Sequence, residues 1–269
     1  MTAKQFSDHL HSISTSTSSF TRATQHPFLT AAGDGSLSAS TLTRWLVQDI
    51  HYTRAYIRFI GGLLSQLYLP TSLFRSTAHG GARQKDLQAR IFDLLTGALV
   101  NIQRETQFFE DVAEEYGLSL DLTAEPEPVT RAYINMFDSM RQGSGRGGLL
   151  EGLTVLWATE ECYLNAWNHA KKQTPSKDYA STRTAEKERA TMALRAEFIP
   201  NWTSPEFVAF VDECKGVLDA AAEKEGLGLL LGSQSIGQEV HSNAKFTLKR
   251  CERIWEQVLW LEERFWPVV

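Results

Sequence analysis

An all-α fold is what this sequence predicts, read as a single-domain helical bundle spanning residues 1–269, and three observations carry the prediction. Apolar residues recur at intervals of three and four over long stretches, no segment of any length alternates as a strand would, and no internal repeat divides the chain. A length of 269 residues suits one large core or two small ones, so the periodicity decides. The 42% apolar content, with 7 Trp and 14 Phe, supports a packed core and excludes a disordered or fibrous chain.

The first long helix is expected from Ser40 to Leu69, where Leu42, Trp45, Leu46, Ile50, Tyr52, Tyr56, Phe59, Ile60 and Leu63 keep helical spacing. Ser38 is its N-cap, the turn Gly33-Asp34-Gly35 precedes it and Pro70 closes it. The second runs from Asp86 to Tyr116 and stops at Gly117, with Ile91, Leu95, Ile102, Phe108, Phe109 and Val112 at core intervals. Glu125-Pro126-Glu127-Pro128 is a rigid break before a helix over Val129–Arg141, and Gly143 to Gly148 link it to another over Leu149–Lys171. Residues 171–197, rich in charge and poor in large apolar residues, read as a solvated excursion with room for a short helix in Thr184–Phe198. Thr203-Ser204-Pro205-Glu206 starts a helix to about Lys224, and Ile236–Trp266 forms the last one, ended by Pro267.

Lys and Arg number 27 against 32 Asp and Glu, a net charge of −5, with no basic tract, which argues against a nucleic-acid surface. No apolar run approaches the ~18–20 residues of a membrane span. Asp8, His9 and His11 stand where a secretory segment would be apolar, and sparse Arg among the Ser and Thr of residues 12–21 suits an organelle leader poorly. Cys162, Cys214 and Cys251 show no C-x-x-C spacing, so neither a disulfide framework nor a zinc ribbon can be drawn, and a reducing, cytoplasmic setting is expected. No histidine has Glu three places before it, which removes the di-iron pattern, and the nucleotide, zincin and α/β-hydrolase motifs are missing. No metal and no cofactor are expected.

Three carboxylates sit on apolar helical faces. Asp49 shares a face with Tyr52 and Tyr56, and with Trp45 and Phe59. An ionised Asp turned inward needs donors or a cationic partner, so it is either a buried, hydrogen-bonded structural acid or part of a site. Glu160 shares a stripe with Tyr163 and Trp167. Cys162 lies about 200° round the helix from Glu160, so the two cannot line one cavity, and Cys162 suits a small packed thiol. Near the end, Trp260-Leu261-Glu262-Glu263-Arg264-Phe265-Trp266 turns at most one of its adjacent glutamates inward; a surface Glu paired with Arg is the plain alternative. Together Asp49, Glu160 and Glu262, with Tyr52, Tyr56, Phe109, Tyr133 and Trp266, suit a flat, nitrogen-rich, protonatable ring: aromatic faces stack and acids take N–H groups. Buried acids with separated pKa values also suit acid–base hydrolysis.

His26-Pro27-Phe28, Gly33-Asp34-Gly35-Ser36-Leu37 and Gln48-Asp49-x-x-Tyr52 follow one another in order. With the segment Pro128 to Met136 around Tyr133 and the terminal Glu262-x-x-Phe265-Trp266, this succession resembles the TenA-like (thiaminase II) family over most of the chain. The resemblance implies a haem-oxygenase-like all-helical fold. It implies that Asp49 holds an aminopyrimidine with Tyr52 and Tyr133 around the ring, and that Glu262 protonates or orients it. One branch of the family has a nucleophilic Cys; another lacks it and uses a nearby Glu. Trp157-Ala158-Thr159-Glu160-Glu161-Cys162-Tyr163 is similar to the second branch, with Glu160 catalytic, Tyr163 and Trp266 substrate-binding, and Cys162 the alternative nucleophile.

The function so implied is hydrolysis of aminomethyl- or formylaminomethyl-pyrimidine breakdown products in thiamin salvage, by a homo-oligomer, dimer or tetramer, without a cofactor. A non-catalytic pyrimidine-binding or regulatory protein and a Cys162-dependent thiaminase are the alternatives. Haem chemistry would need a pocket-facing histidine on an early helix, whereas His26 precedes a proline and His51 points away from Asp49. Three departures from the family's pattern stand out. Glu105 is followed four places later by Phe109 where the family often has His. Trp202 lies where many members place a tyrosine, so it either lines the site or packs. The excursion at 171–197 is longer than the simple bacterial pattern.

Overall fold

Three short helices open the part of the chain that the structure, a computed structural model, describes: α1 (Phe6–His11), α2 (Ser16–Thr24) and α3 (Pro27–Asp34). The described residues are 5–13, 16–69, 71, 74–75, 84–140, 148–175, 184–231 and 238–269. None of these helices was expected from the sequence, since each is too short to show a helical repeat. In α3 the His26 ring caps the N-terminus by accepting the Phe28 N–H, and Pro27 occupies the first turn, where its missing N–H costs nothing. The turn expected at Gly33-Asp34-Gly35 is later and tighter: the helix continues through Gly33, and only Gly35, at φ 81°, leaves it. Gly33 has another use. A Cβ there would lie 2.0 Å from the Ala170 carbonyl oxygen, so α3 approaches its neighbour backbone to backbone.

Helix α4 (Ala39–Leu64) starts at the expected Ser38 cap but ends at Ser65, short of Leu69; Pro70 lies outside the described residues. A two-residue ribbon, β1 (Phe74–Arg75) against β2 (Gln84–Lys85), leads into α5 (Leu87–Glu115), capped by Asp86 and released by Gly117 at φ 61°. Helix α6 (Pro128–Ser139) and α7 (Leu149–Gln173) follow, each within two residues of its expected ends. Residues 143–147 of the glycine-rich link lie outside the described set.

The expectation of a solvated excursion over 171–197 needs correction in its second half. Helix α8 (Ala185–Ala193), capped by Thr184, and a π-helical turn over Leu194–Phe198 bury Ala190, Ala193, Leu194 and Phe198 completely. The small alanines let α8 approach α4, so few large apolar residues were needed for burial. The π turn runs straight into α9 (Ile199–Trp202), whose Pro200 has no N–H to continue an ordinary ladder. Helices α10 (Pro205–Lys224), α11 (Leu227–Leu231) and α12 (Gln238–Phe265) complete the bundle.

Helix α7 is the centre of the bundle. It packs against α3, α10 and α12 and is buried almost all round from Leu150 to Thr159, while α4 packs against α5 and α6. Trp45, Trp167, Trp202, Phe198 and Trp266 form one continuous aromatic cluster, with Trp167 and Trp202 stacked at 4.7 Å. These rings form the wall on which the candidate site is built.

Candidate functional site

Helix α4 divides its polar residues by direction. Gln48 turns away from the cavity: its Oε1 accepts the Glu127 N–H at 2.8 Å and the Thr130 hydroxyl at 2.7 Å, and its Nε2 donates to the Glu125 carbonyl. His51 donates to the Ala124 carbonyl at 2.8 Å. Both therefore tie the start of α6, and with it Tyr133, to α4. Asp49, about 100° round from Gln48, faces the other way into a cavity.

That cavity has a volume of about 460 Å³, within the range that holds small organic ligands. Its inner walls are Asp49, Tyr52 and Tyr56 from α4, Glu105 and Phe108 from α5, Thr159, Glu160 and Tyr163 from α7, and Trp202 from α9. Asn101, Arg104, Asn201 and the first turn of α10 form its mouth. The acids follow one pattern. Tyr163 donates to Asp49 Oδ2 at 3.0 Å, Tyr56 to Glu160 Oε1 at 2.7 Å, and Trp202 Nε1 to Glu105 Oε1 at 2.6 Å. Tyr133 donates likewise to Glu262 Oε1. Each carboxyl has one neutral aromatic donor, and among the described residues none of the four has a cation at ion-pair distance.

Burial without a counter-ion governs their protonation. Desolvation pushes Glu160 up to about 8, against which the Tyr56 hydrogen bond works only in part, and the charge on Glu105 adds to the rise. Desolvation likewise lifts Glu262 to about 8, opposed by Tyr133, and Glu105 to about 7, opposed by Trp202. Asp49 is raised well above its ordinary value, first by burial and then by Glu105. A cavity so lined is a store of protons at neutral pH that becomes strongly attractive to a cation when one enters.

Asp49, Tyr52, Tyr56, Glu160 and Tyr163, all singled out in the sequence, line this one cavity. Four others do not. Glu262 and Tyr133 form a pair one layer behind Tyr52, whose ring meets Tyr133 edge-on at 5.2 Å. Glu262 Oε2 is buried without a hydrogen-bond partner among the described residues. Trp266 backs the wall instead, stacking on Tyr163 at 5.9 Å and donating its indole N–H to the Ala23 carbonyl. Cys162 is fully buried, its thiol pushed well up by desolvation, on the side of α7 away from Glu160, as the helical angle requires. Phe109 is also core, and the adjacent Phe108 takes the lining position.

Of the inner walls, Glu105, Phe108 and Thr159 stand outside the set of site residues singled out in the sequence. Glu105 carried the same signal as Asp49: an acid on an apolar helical stripe, with Ile102 and Phe109 at three before and four after. Thr159 carried none, since a Thr in a buried helix that bonds back to Val155 and Leu156 is common. Trp202, left open between lining and packing, does both.

Residues 16–226 match the model of the TENA/THI-4/PQQC family. A protein of Fusarium pseudograminearum (strain CS3096) named a probable transcription factor is 31% identical to 96% of this chain, which covers 51% of that protein. A Glycine max protein named a probable bifunctional TENA-E protein is 21% identical over 55% of this chain and 56% of its own length, so the chain spans about half the length of the curated relatives it matches. Among solved structures, a TenA homologue from Pyrococcus furiosus superposes with a TM-score of 0.68 at 22% identity, covering 97% of this chain and 98% of its own. A TenA family transcription regulator from Silicibacter sp. TM1040 has a TM-score of 0.68 at 16% identity, over 98% of this chain and 96% of its own. These likenesses establish the all-α fold. No helix among the described residues is long and apolar enough to cross a membrane.

Proposed function

The chain belongs to the TENA/THI-4/PQQC family, and from that premise we propose that it hydrolyses the exocyclic C–N bond of a small aminopyrimidine, an aminomethyl or formylaminomethyl compound of thiamin salvage. The family includes thiamin-salvage enzymes. The observation that carries the reading is that Asp49 and Glu160 line one aromatic-walled cavity, each held by a single phenol.

The ring lies against the aromatic walls of Tyr52, Tyr163 and Trp202, and Asp49 accepts its N–H groups, a pairing that favours the protonated ring. Glu160, with its proton held to about pH 8, gives that proton to the leaving nitrogen. The C–N bond breaks with its electron pair going to nitrogen, water forms the new C–O bond, and the carboxylate takes back a proton from that water. The aminomethyl compound yields ammonia and an alcohol; in the formyl compound water adds to the amide carbonyl carbon, the bond from that carbon to nitrogen breaks with Glu160 protonating the nitrogen, and formate and the aminomethyl compound are released. Glu262 has a supporting role: through Tyr133 it holds the wall behind Tyr52, and its unpartnered Oε2 is an acceptor for a ligand nitrogen reaching past that ring. Assembly as a dimer or tetramer belongs to the same reading, and light scattering of the purified protein checks it.

The test is a product assay on thiamin, the aminomethyl-pyrimidine and its formyl derivative. Wild type is expected to release ammonia or formate and leave thiamin intact, and Glu160→Gln to bind the pyrimidine yet lose at least about a hundredfold in turnover. Cys162→Ala keeps the wild-type rate. Undiminished turnover in Glu160→Gln overturns the mechanism, and thiamin cleavage lost in Cys162→Ala makes the chain a Cys162-dependent thiaminase. The names of the Fusarium and Silicibacter neighbours favour a second reading, a regulatory protein that binds the pyrimidine without turning it over; tight binding with no product from any of the three compounds selects it.

A further inference from the structure

We infer that Glu105 supplies this cavity with a position for an organic ammonium group, so that the site selects a ligand whose side arm is positively charged over its neutral counterpart. The inference takes the aminopyrimidine from the reading above but does not depend on it for the charge.

Glu105 lines the cavity and receives one hydrogen bond, from Trp202 Nε1, and no Lys or Arg among the described residues stands at ion-pair distance. Arg104, the basic residue among the lining side chains, is exposed at the mouth. Asp49 and Glu160 both feel Glu105 as their strongest charged neighbour, so three acids converge on one space with nothing positive between them. The aromatic walls beside the acids suit an organic cation. Rings complete the position. The Trp202 ring meets Tyr163 edge-on at 5.2 Å and Phe108 at 6.3 Å, giving an ammonium aromatic surfaces beside the carboxylate. In this reading Asp49 takes the ring nitrogens and Glu105 binds the side arm as its ammonium; in turnover one ammonium proton passes to the Glu105 carboxylate, and Glu160 gives its own proton to the neutral nitrogen so formed as the C–N bond breaks.

Calorimetric binding at pH 7 tests it with two ligand pairs: aminomethyl- against hydroxymethyl-pyrimidine, and benzylamine against benzyl alcohol. Wild type is expected to prefer each amine by about tenfold or more, the worth of one hydrogen-bonded charge pair, and Glu105→Gln to reduce the preference to within about twofold by weakening the amine alone. Glu105→Asp, which keeps the charge, restores part of the preference and guards against a fault in folding. Amine binding should also release protons in wild type, seen as a dependence of the heat on the buffer's ionisation enthalpy, and less in Glu105→Gln. Equal weakening of amine and alcohol, an unchanged preference, or a wild type indifferent to charge overturns the inference. If neither pyrimidine binds while benzylamine keeps its Glu105-dependent advantage, the aminopyrimidine reading fails and the ammonium position stands.

Discussion

The phenol of Tyr56 donates to Glu160 Oε1 at 2.7 Å, joining α4 to α7 across the wall of the cavity. It is the sole hydrogen-bond donor to Glu160 among the described residues, and it stabilises the ionised form against desolvation. Tyr56→Phe should therefore raise the pKa of Glu160 further, by about 1 to 2 units if the bond is worth the usual amount for a charged acceptor. In the proposed reaction the alkaline limb of the pH–rate profile is expected near pH 8, where Glu160 loses its proton, and in Tyr56→Phe it should move up accordingly. An unmoved limb would detach Glu160 from the rate.

The same acids make stability depend on pH in a sense opposite to ordinary surface carboxylates. Glu160 and Glu262 are raised from 4.5 to about 8 on folding, so between those values the folded chain holds protons that the unfolded chain has lost. Stability then falls as pH rises through that window. The melting temperature of the ligand-free protein should drop from pH 5 to pH 8.5, and Glu160→Gln or Glu262→Gln should flatten the slope. A melting temperature that climbs over this range would show that the acids are not held neutral.

Gln48 holds two donors of the α6 start, the Glu127 N–H and the Thr130 hydroxyl. Gln48→Ala strands the Thr130 hydroxyl in a buried place and frees the Glu127 N–H in a part-buried one, and a loss of about 1–3 kcal/mol is expected in denaturant unfolding. Gln48→Glu keeps the acceptor and should lose less.

Gly33 tests the contact between α3 and α7. A Cβ there would meet the Ala170 carbonyl oxygen at 2.0 Å and Gln173 Cβ at 2.7 Å, both on rigid parts of α7. Gly33→Ala is expected to cost at least about 1–3 kcal/mol, the usual price of overpacking. Gly61, in α4, has nothing within 4 Å of the same position, so Gly61→Ala should be neutral or stabilising by about 0.5–1 kcal/mol. Thermal melts of the two variants side by side check the pair.

Much of the architecture was legible because long helices declare themselves twice, by periodicity and by their caps. Ser38 and Ser204 cap their helices as the sequence suggests, each side chain accepting a backbone N–H, and Asp86, expected as the first residue of its helix, is its cap in the same way. The N-terminal helices were not legible, since nine residues or fewer hold too few turns to show a period. The burial of α8 was hidden by its alanines, which pack closely without looking like core.

The site divides in the same way. Helical angle alone determined that Asp49, Tyr52 and Tyr56 share a face, that Glu160 and Tyr163 share another, and that Cys162 points elsewhere, because these are relations within one rigid helix. Relations between helices were not contained in any single stretch of chain. Only the packing of α5 against α4 and α10, and of α9 against α7, decided that Glu105 joins Asp49 and Glu160, that Trp202 gives it a hydrogen bond, and that Glu262 stands behind Tyr52 with Tyr133. The reason is physical: a helix sets the direction of its side chains through local hydrogen bonds, but which directions meet depends on how whole faces interlock, and that is settled by the bulk of Trp45, Trp167 and Trp202 and by the missing side chain of Gly33.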